Sequence, residues 1–275
     1  MKKSYQKILA GILIALIALM ISVSKNVAKV LADNEIIPPE GNFIVSLKNT
    51  TIVPGVTETE FIYNKPDGSN PVSGFIVDVH LGSSVNIMAA STNYNETGTQ
   101  IVREMARAAQ IKTGRNIVAA FNADFHWLGT GESTGPLIVD GKVLSDKPDV
   151  FFGILKNGEA IIGDGNKFRQ VKDDLVQAVR GMGWLIRDNK VVVSSTDLAP
   201  RTAVGIKADG TVFFFVAEGR MYPRSVGISL KDMAEMMHAY GAVVALNLDG
   251  GGSTTYLAKR EGETSLELRN IPSDG

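Results

Sequence analysis

The sequence predicts an α+β domain of mixed, strand-rich sheets with two principal helices. Two observations carry this. Short apolar runs, parted by Pro, Gly, Asn-Gly and Asp-Gly turn signals, recur from Phe43 onward and outnumber helical patterns. Only two stretches combine helical periodicity with start and stop signals. The chain contains no solenoid-type repeat, no P-loop and no Rossmann fingerprint, which leaves an α+β arrangement.

The elements follow in order. Met1 to Lys7 carries Lys2, Lys3 and Lys7, and Ile8 to Ser24 is an uncharged, mostly apolar run. With Val30 and Ala32 as small-residue positions beyond it, residues 1–32 read as a signal peptide or a membrane anchor. The remaining chain is then expected outside the cytoplasm, secreted or anchored facing outward, with membrane contact only through this segment. Residues 33–90 form a strand-rich lead-in, with turns at Pro54-Gly55 and Pro66-Asp-Gly68 and a strand around Gly74 to His80. Residues 91–275 form the main domain. Thr99 to Lys112 places Ile101, Val102, Met105, Ala108 and Ala109 at helical spacing ahead of Gly114. Asn116 to Phe121 is a buried-strand pattern delivering Asn122 and Asp124 to a strand end.

Four hairpins follow: one centred on Pro136 to Gly141, one turning at Asn157-Gly158, one over Trp184 to Val193, and one over Thr202 to Ala217 turning at Asp209-Gly210. Ser229 to Tyr240 is the second helix, opened by Ser229 with Asp232 and stopped at Gly241. Ala242 to Leu248 is a buried strand running into Asp249-Gly-Gly-Gly252.

Composition narrows the chemistry. The net charge is −1, so no basic excess drives nucleic-acid binding. Cysteine is absent, which removes thiol nucleophiles, disulfides and cysteine-ligated zinc. The three histidines form no H-E-x-x-H pattern. No cofactor is expected; a divalent metal stays open.

Asn247-Leu-Asp249-Gly-Gly-Gly252-Ser253-Thr254 is the most informative segment. Three glycines after a buried strand suit either a tight turn or a backbone that must meet a ligand, with Gly250, Gly251 and Gly252 offering amides to an anion. Asp249 projects a carboxylate there, and Ser253 and Thr254 add hydroxyls. Arg201 opens one strand of the last hairpin, and Glu218-Gly-Arg220 closes the other. Their distances from the turn are similar, so two arginines and a carboxylate meet at one sheet end, suited to a phosphate or to a plain cross-strand ion pair. Asn122, Asp124, His126 and Trp127 offer an amide, a carboxylate, an imidazole and an aromatic face of the kind that holds sugars.

In this order, Phe121-Asn-Ala-Asp-Phe125, Gly135-Pro-Leu-Ile-Val-Asp-Gly-Lys142, Arg201-Thr-Ala-Val-Gly205, Glu218-Gly-Arg220, Gly227-Ile-Ser-Leu230, Asn247 to Thr254 and Asn270-Ile-Pro-Ser-Asp274 resemble the phosphodiester glycosidase family. The chain departs from that pattern in having Glu218 where aspartate is frequent and Gly181-Met-Gly-Trp184 where Gly-Gly-Pro is common. It also ends at Gly275, where the family usually continues into a last strand, so the domain is expected to be truncated.

The resemblance implies a hydrolase acting on an α-linked sugar 1-phosphodiester or phosphorylated glycan, in cell-surface, exopolysaccharide or cell-wall material. Glycosidic cleavage normally uses two carboxylates, and Asp249 and Glu218 are the candidate pair with Asp124 in reserve. Asn122, Arg201, Arg220, Asn247, Gly250 to Gly252, Ser253 and Thr254 become substrate-binding residues. Two other readings stay open: a non-catalytic glycan-binding surface module, and a metal-assisted phosphodiesterase using Asp124 and Asp249.

Overall fold

A computed structural model describes residues 35–82, 84–127 and 129–273. The expected signal or anchor segment lies outside the described residues, as does Asp274. Among the described residues no helix is long and apolar enough to cross a membrane.

Three strands come first: β1 (Phe43–Val53), β2 (Val56–Asn64) and β3 (Val72–Val79). Helix α1 (Val102–Thr113) stops at Gly114, whose φ of 68° closes it in the left-handed conformation. Next are β4 (Ala119–Phe121), the hairpin β5 (Leu137–Val139) and β6 (Lys142–Ser145), and the hairpin β7 (Phe151–Leu155) and β8 (Ala160–Gly163). Helix α2 (Gly165–Val171) precedes β9 (Leu175–Arg180). Then come β10 (Gly183–Arg187), β11 (Lys190–Val191), β12 (Arg201–Lys207) and β13 (Val212–Ala217). Helix α3 (Leu230–Ala239), β14 (Ala242–Asn247), β15 (Tyr256–Ala258) and β16 (Glu267–Leu268) complete the described chain.

The α+β expectation holds in its coarse form, with strands predominating, but the helices number three among the described residues. The one the sequence did not reveal, α2, has seven residues and buries Phe168 alone, so it carries no apolar period. Asp164 caps it by accepting from the amides of Asn166 and Lys167.

The largest sheet runs β1-β2-β3-β13-β12-β14-β10-β11, with every neighbour antiparallel. The lead-in strands are therefore part of the central sheet, since β3 pairs with β13 from Val79↔Val212 to Gly74↔Ala217. Smaller sheets β6-β5-β9-β7-β8 and β16-β15-β4 pack beside it.

Every residue of β3 and β13 is buried, so both faces of the central sheet are covered. On one face α3 sets Met233 and Met237 against Leu185, Ala203, Phe213 and Phe215. On the other, Phe121 stacks between Phe214 and Tyr256, with centroids 4.3 and 4.8 Å away. Fully burying one such ring contributes about 2 kcal/mol. This stack fixes β4 and β15 over the sheet and so fixes the segments that follow them.

Candidate active site

The registers put five strand termini at one end of the central sheet. Arg201 opens β12 opposite Ala217, the last residue of β13; Ala203 faces Asn247, the last of β14; Gly183, the first of β10, also faces Asn247; and Gly74 near the start of β3 faces Ala217. The segments leaving these ends carry Glu218 to Arg220 and Asp249 to Thr254. Across the layer, the end of β4 delivers Asn122 and Asp124.

Asn122 locks the two layers together. Its Oδ1 accepts from Thr202 Oγ1 at 2.7 Å and from the Thr255 amide at 3.0 Å, and its Nδ2 donates to the Asp249 carbonyl at 2.6 Å. The Asp249 amide donates to the Ala123 carbonyl at 2.8 Å. Asn122 is 8% exposed with both ends of its amide engaged, so the expected substrate contact gives way to a clamp that orients Asp249.

Asp124 and Asp249 are close enough that the charge of Asp249 helps raise the Asp124 carboxyl. Burial is the main cause and lifts it to about 6, against the Ser133 hydrogen bond, Arg180 and the Phe125 amide, which all lower it. One Asp124 oxygen accepts from Ser133 Oγ; the other, Oδ1, is buried with no hydrogen-bond partner. A half-buried carboxyl poised near neutrality beside a second carboxylate suits proton transfer. Asp249 Oδ1 accepts from the Gly250 amide at 2.9 Å.

Two guanidinium groups flank the glycine run. A Cβ on Gly251 would stand 3.3 Å from Arg220 Nη2, and one on Gly250 would stand 3.9 Å from Arg201 Cδ. Arg201 donates to the carbonyls of Asp197 at 3.0 Å and Ile228 at 3.4 Å. Burial lowers its pKa; Asp197 opposes this and the neighbouring Arg220 adds to it. Two like charges converge here, as at sites that receive a phosphate. Arg220 adopts φ 60°, a left-handed conformation uncommon for a residue with a Cβ.

Several expectations are corrected. Glu218 is fully buried and both of its oxygens are occupied: Ser73 Oγ donates at 2.5 Å, Arg224 Nε at 2.8 Å, Arg224 Nη2 at 3.2 Å and the Ile271 amide at 2.8 Å. Its ion pair is with Arg224, not Arg201, and it anchors the 218–225 loop instead of offering a carboxylate to substrate. The glycine amides are not all open to an anion, because Gly250 N–H goes to Asp249 and Gly251 N–H to the Pro200 carbonyl at 2.9 Å. Gly252 is buried. Close approach explains these glycines better: Gly251 has φ 63°, and a Cβ on Gly250 would sit 3.0 Å from the Pro200 carbonyl.

Thr254 is 1% exposed with an unpartnered Oγ1, and Asn247 Oδ1 is likewise buried and unpartnered. Ser253 is exposed. Among the other singled-out groups, His126 bridges Ser133 through the backbone, and Trp127 is exposed. His80 meets Thr211 and His238 meets Asn189, so both play local structural parts.

Two participants, Ser133 and Arg180, escaped the sequence, and a third, Asn270, was named only within the late motif. Ser133 holds Asp124. Arg180, at the end of β9, acts electrostatically on Asp124 while its Nε donates to Asp149 at 2.7 Å. Asn270 ties the late segment to the site, accepting from the Tyr256 amide at 2.6 Å and donating to the Thr254 carbonyl at 2.7 Å. The Gly135-Pro element carried the only trace of Arg180, whose stem fills the space where a Gly135 Cβ would stand, 2.5 Å away.

A family model described as phosphodiester glycosidase matches residues 115–275. The N-acetylglucosamine-1-phosphodiester alpha-N-acetylglucosaminidase of Mus musculus is 30% identical over 180 residues, which are 56% of this chain and 33% of that protein. The Homo sapiens protein of the same name is 28% identical over 197 residues, 63% of this chain and 36% of its own length. The chain thus spans about a third of the length of these relatives. Among solved structures, the catalytic domain of the zebrafish protein of that name, auto-inhibited by its pro-peptide, superposes with a TM-score of 0.58 at 22% identity, covering 81% of this chain and 79% of that one. A hypothetical protein from Synechocystis gives 0.58 at 13% identity, covering 82% and 61%. With more than half its length inside the family model and its motifs gathered at one end of the sheet, the chain belongs to the phosphodiester glycosidase family.

Proposed function

We propose that this chain hydrolyses glycosyl 1-phosphodiesters at the anomeric carbon, acting outside the cytoplasm on phosphorylated cell-surface or extracellular glycans. The observation that carries the reading is the pairing of two interacting carboxylates, Asp124 and Asp249, with two converging arginines, Arg201 and Arg220. The name of the mouse and human relatives describes the same bond. The lysines and apolar run of the first 32 residues support export.

The chemistry divides between the two halves of the site. As the anomeric C–O bond breaks, its electron pair leaves with the phosphate, which gains charge. Arg201 and Arg220 oppose that charge, so little proton donation to the leaving group is required. The sugar becomes cation-like, and Asp249, held by the Gly250 amide and by Asn122 through its carbonyl, faces that charge. Water supplies the new C–O bond and Asp124 accepts its proton, a task suited to a carboxyl near 6 with an unpartnered oxygen. The products are a free sugar and a phosphomonoester.

The unpartnered Asp124 oxygen beside Asp249 also suits a second reading, in which the pair holds a divalent metal and water attacks phosphorus. Hydrolysis in oxygen-18 water separates the two. Label in the sugar supports the glycosidase, and label in the phosphate transfers the case to the phosphodiesterase. Glycan binding with no bond cleaved would leave a binding module.

A further inference from the structure

Ser133 does more than hold Asp124. It also forms part of the wall of a cavity of about 260 Å³ that the reaction above leaves unused. The same wall carries Thr97, Ser145, Glu96, Glu132, Asp146 and Lys147. Ser145 Oγ is buried there with no hydrogen-bond partner. Three acidic residues and one lysine thus stand exposed along this wall, and the Lys147 ammonium donates to the Ser133 carbonyl at 3.1 Å. Arg201 and Arg220, beside the glycine run, take no part in this wall.

We propose that this cavity receives the glycosyl ring and selects neutral or amine-bearing sugars over acidic ones. The inference rests on the glycosyl 1-phosphodiester reading only for the place of the sugar relative to the phosphate. The volume lies just below that of pockets for drug-sized ligands and suits one ring. Hydroxyl and carboxylate linings accept hydrogen bonds from sugar hydroxyls and from an ammonium group. A sugar carboxylate meets like charges, and specificity arises from that repulsion as much as from attraction. Anionic groups are left to the arginine side alone, so the site sorts its substrate by charge along its length.

The test uses the full chain and simple ligands that lack phosphate. Binding of methyl α-glucoside, methyl α-glucosaminide and methyl α-glucuronide is measured by saturation-transfer NMR titration, for the wild type and for Glu132→Gln/Asp146→Asn. The first two ligands should bind at least ~10-fold more tightly than the glucuronide, the effect of a single like-charge contact. The double variant should narrow that gap to ~3-fold or less. Equal affinities, binding of none of the three, or a gap unchanged in the double variant would overturn the proposal. Cleavage of the matching sugar 1-(methyl phosphate)s is scored separately. Charge-selective binding without cleavage defeats the proposed reaction and leaves this inference standing. Cleavage with no charge preference, unmoved by the double variant, defeats this inference and leaves the reaction standing.

Discussion

Replacing Asp124 with Asn should make the protein more stable near neutral pH, and the gain should disappear in acid. In the folded protein burial holds this carboxyl at about 6, against its ordinary 3.8. Between those values the folded state keeps a proton that the unfolded chain has lost, so stability falls as pH rises through that interval and stays lowered above it. The interval is worth about 3 kcal/mol. Asparagine carries no charge, so it avoids the loss while still accepting the Ser133 hydroxyl. Its amide hydrogens take the place of the unpartnered Oδ1 and go without an acceptor there, a cost of about 1 kcal/mol. The net gain is then about 2 kcal/mol above pH 7, or a rise in Tm of roughly 5 °C for a domain of this size. Thermal unfolding of wild type and Asp124→Asn at intervals from pH 4 to pH 8 measures it. The two curves should coincide near pH 4 and diverge by pH 7. A variant no more stable than wild type at pH 8, or a gain equal at every pH, would refute the argument that Asp124 is an ionised group held in an unfavourable place for the sake of proton transfer.

Two further outcomes follow from the site. Asp249→Asn keeps an oxygen for the Gly250 amide and leaves the backbone bonds to Asn122 and Ala123 in place, so Tm should hardly move while kcat falls by ~10³; turnover within tenfold of wild type would remove Asp249 from the chemistry. Glu218→Gln keeps one oxygen to accept from the Ile271 amide, while its NH2 can donate to Ser73 Oγ with that hydroxyl turned to accept, and it should reduce kcat by less than ~10-fold, whereas Glu218→Ala leaves buried donors unpaired and should cost about 3–5 kcal/mol of stability. Parallel kcat and Tm measurements decide it, since a kcat loss beyond ~10² in Glu218→Gln at unchanged Tm would restore Glu218 as a reacting carboxylate.

The legible parts of this chain are those set by neighbours in sequence. Asn157-Gly158 and Asp209-Gly210 turn because Gly158 and Gly210 both adopt φ 87°, and Asp188 and Asn189 turn with φ 51° and 58°. Each hairpin was therefore readable from its turn. Ser229 was readable as a cap because its bond to the Asp232 amide spans three residues. The parts that escaped depend on partners far along the chain. Glu218 meets Ser73 across 145 positions, and Asn122 meets the Asp249 carbonyl across 127. No periodicity records such pairings. Arg180 ends an ordinary strand, and only the folded register brings it toward Asp124. The composition of the glycine run fits a source of amides and a tight turn alike. The fold instead spends two of those amides internally and uses the missing side chains to admit Arg220 and the Pro200 carbonyl.

That reassignment changes which residues must be held in place. If side chains supply the positive charge, the conformation of Arg220 becomes critical, and at φ 60° it is unfavourable by about 1 kcal/mol for a residue with a Cβ. The surrounding loop compensates. The Met221 and Ser225 backbones bond to each other, Ser225 Oγ donates to the Glu218 carbonyl at 2.7 Å, and the Val226 amide donates to the Pro71 carbonyl at 2.8 Å. The Glu218 side chain gathers Ser73, Arg224 and Ile271 around the base of this loop. Asn270, next to Ile271, binds the carbonyl of Thr254 at the far end of the glycine segment. One buried carboxylate thus joins the arginine loop to the chain that borders the Asp249 turn. On the proposed reaction, a carboxylate in this position acts through the placement of Arg220, and full burial is what lets it do so. That role explains how Glu218 stands among the family's motif residues while its two oxygens face inward.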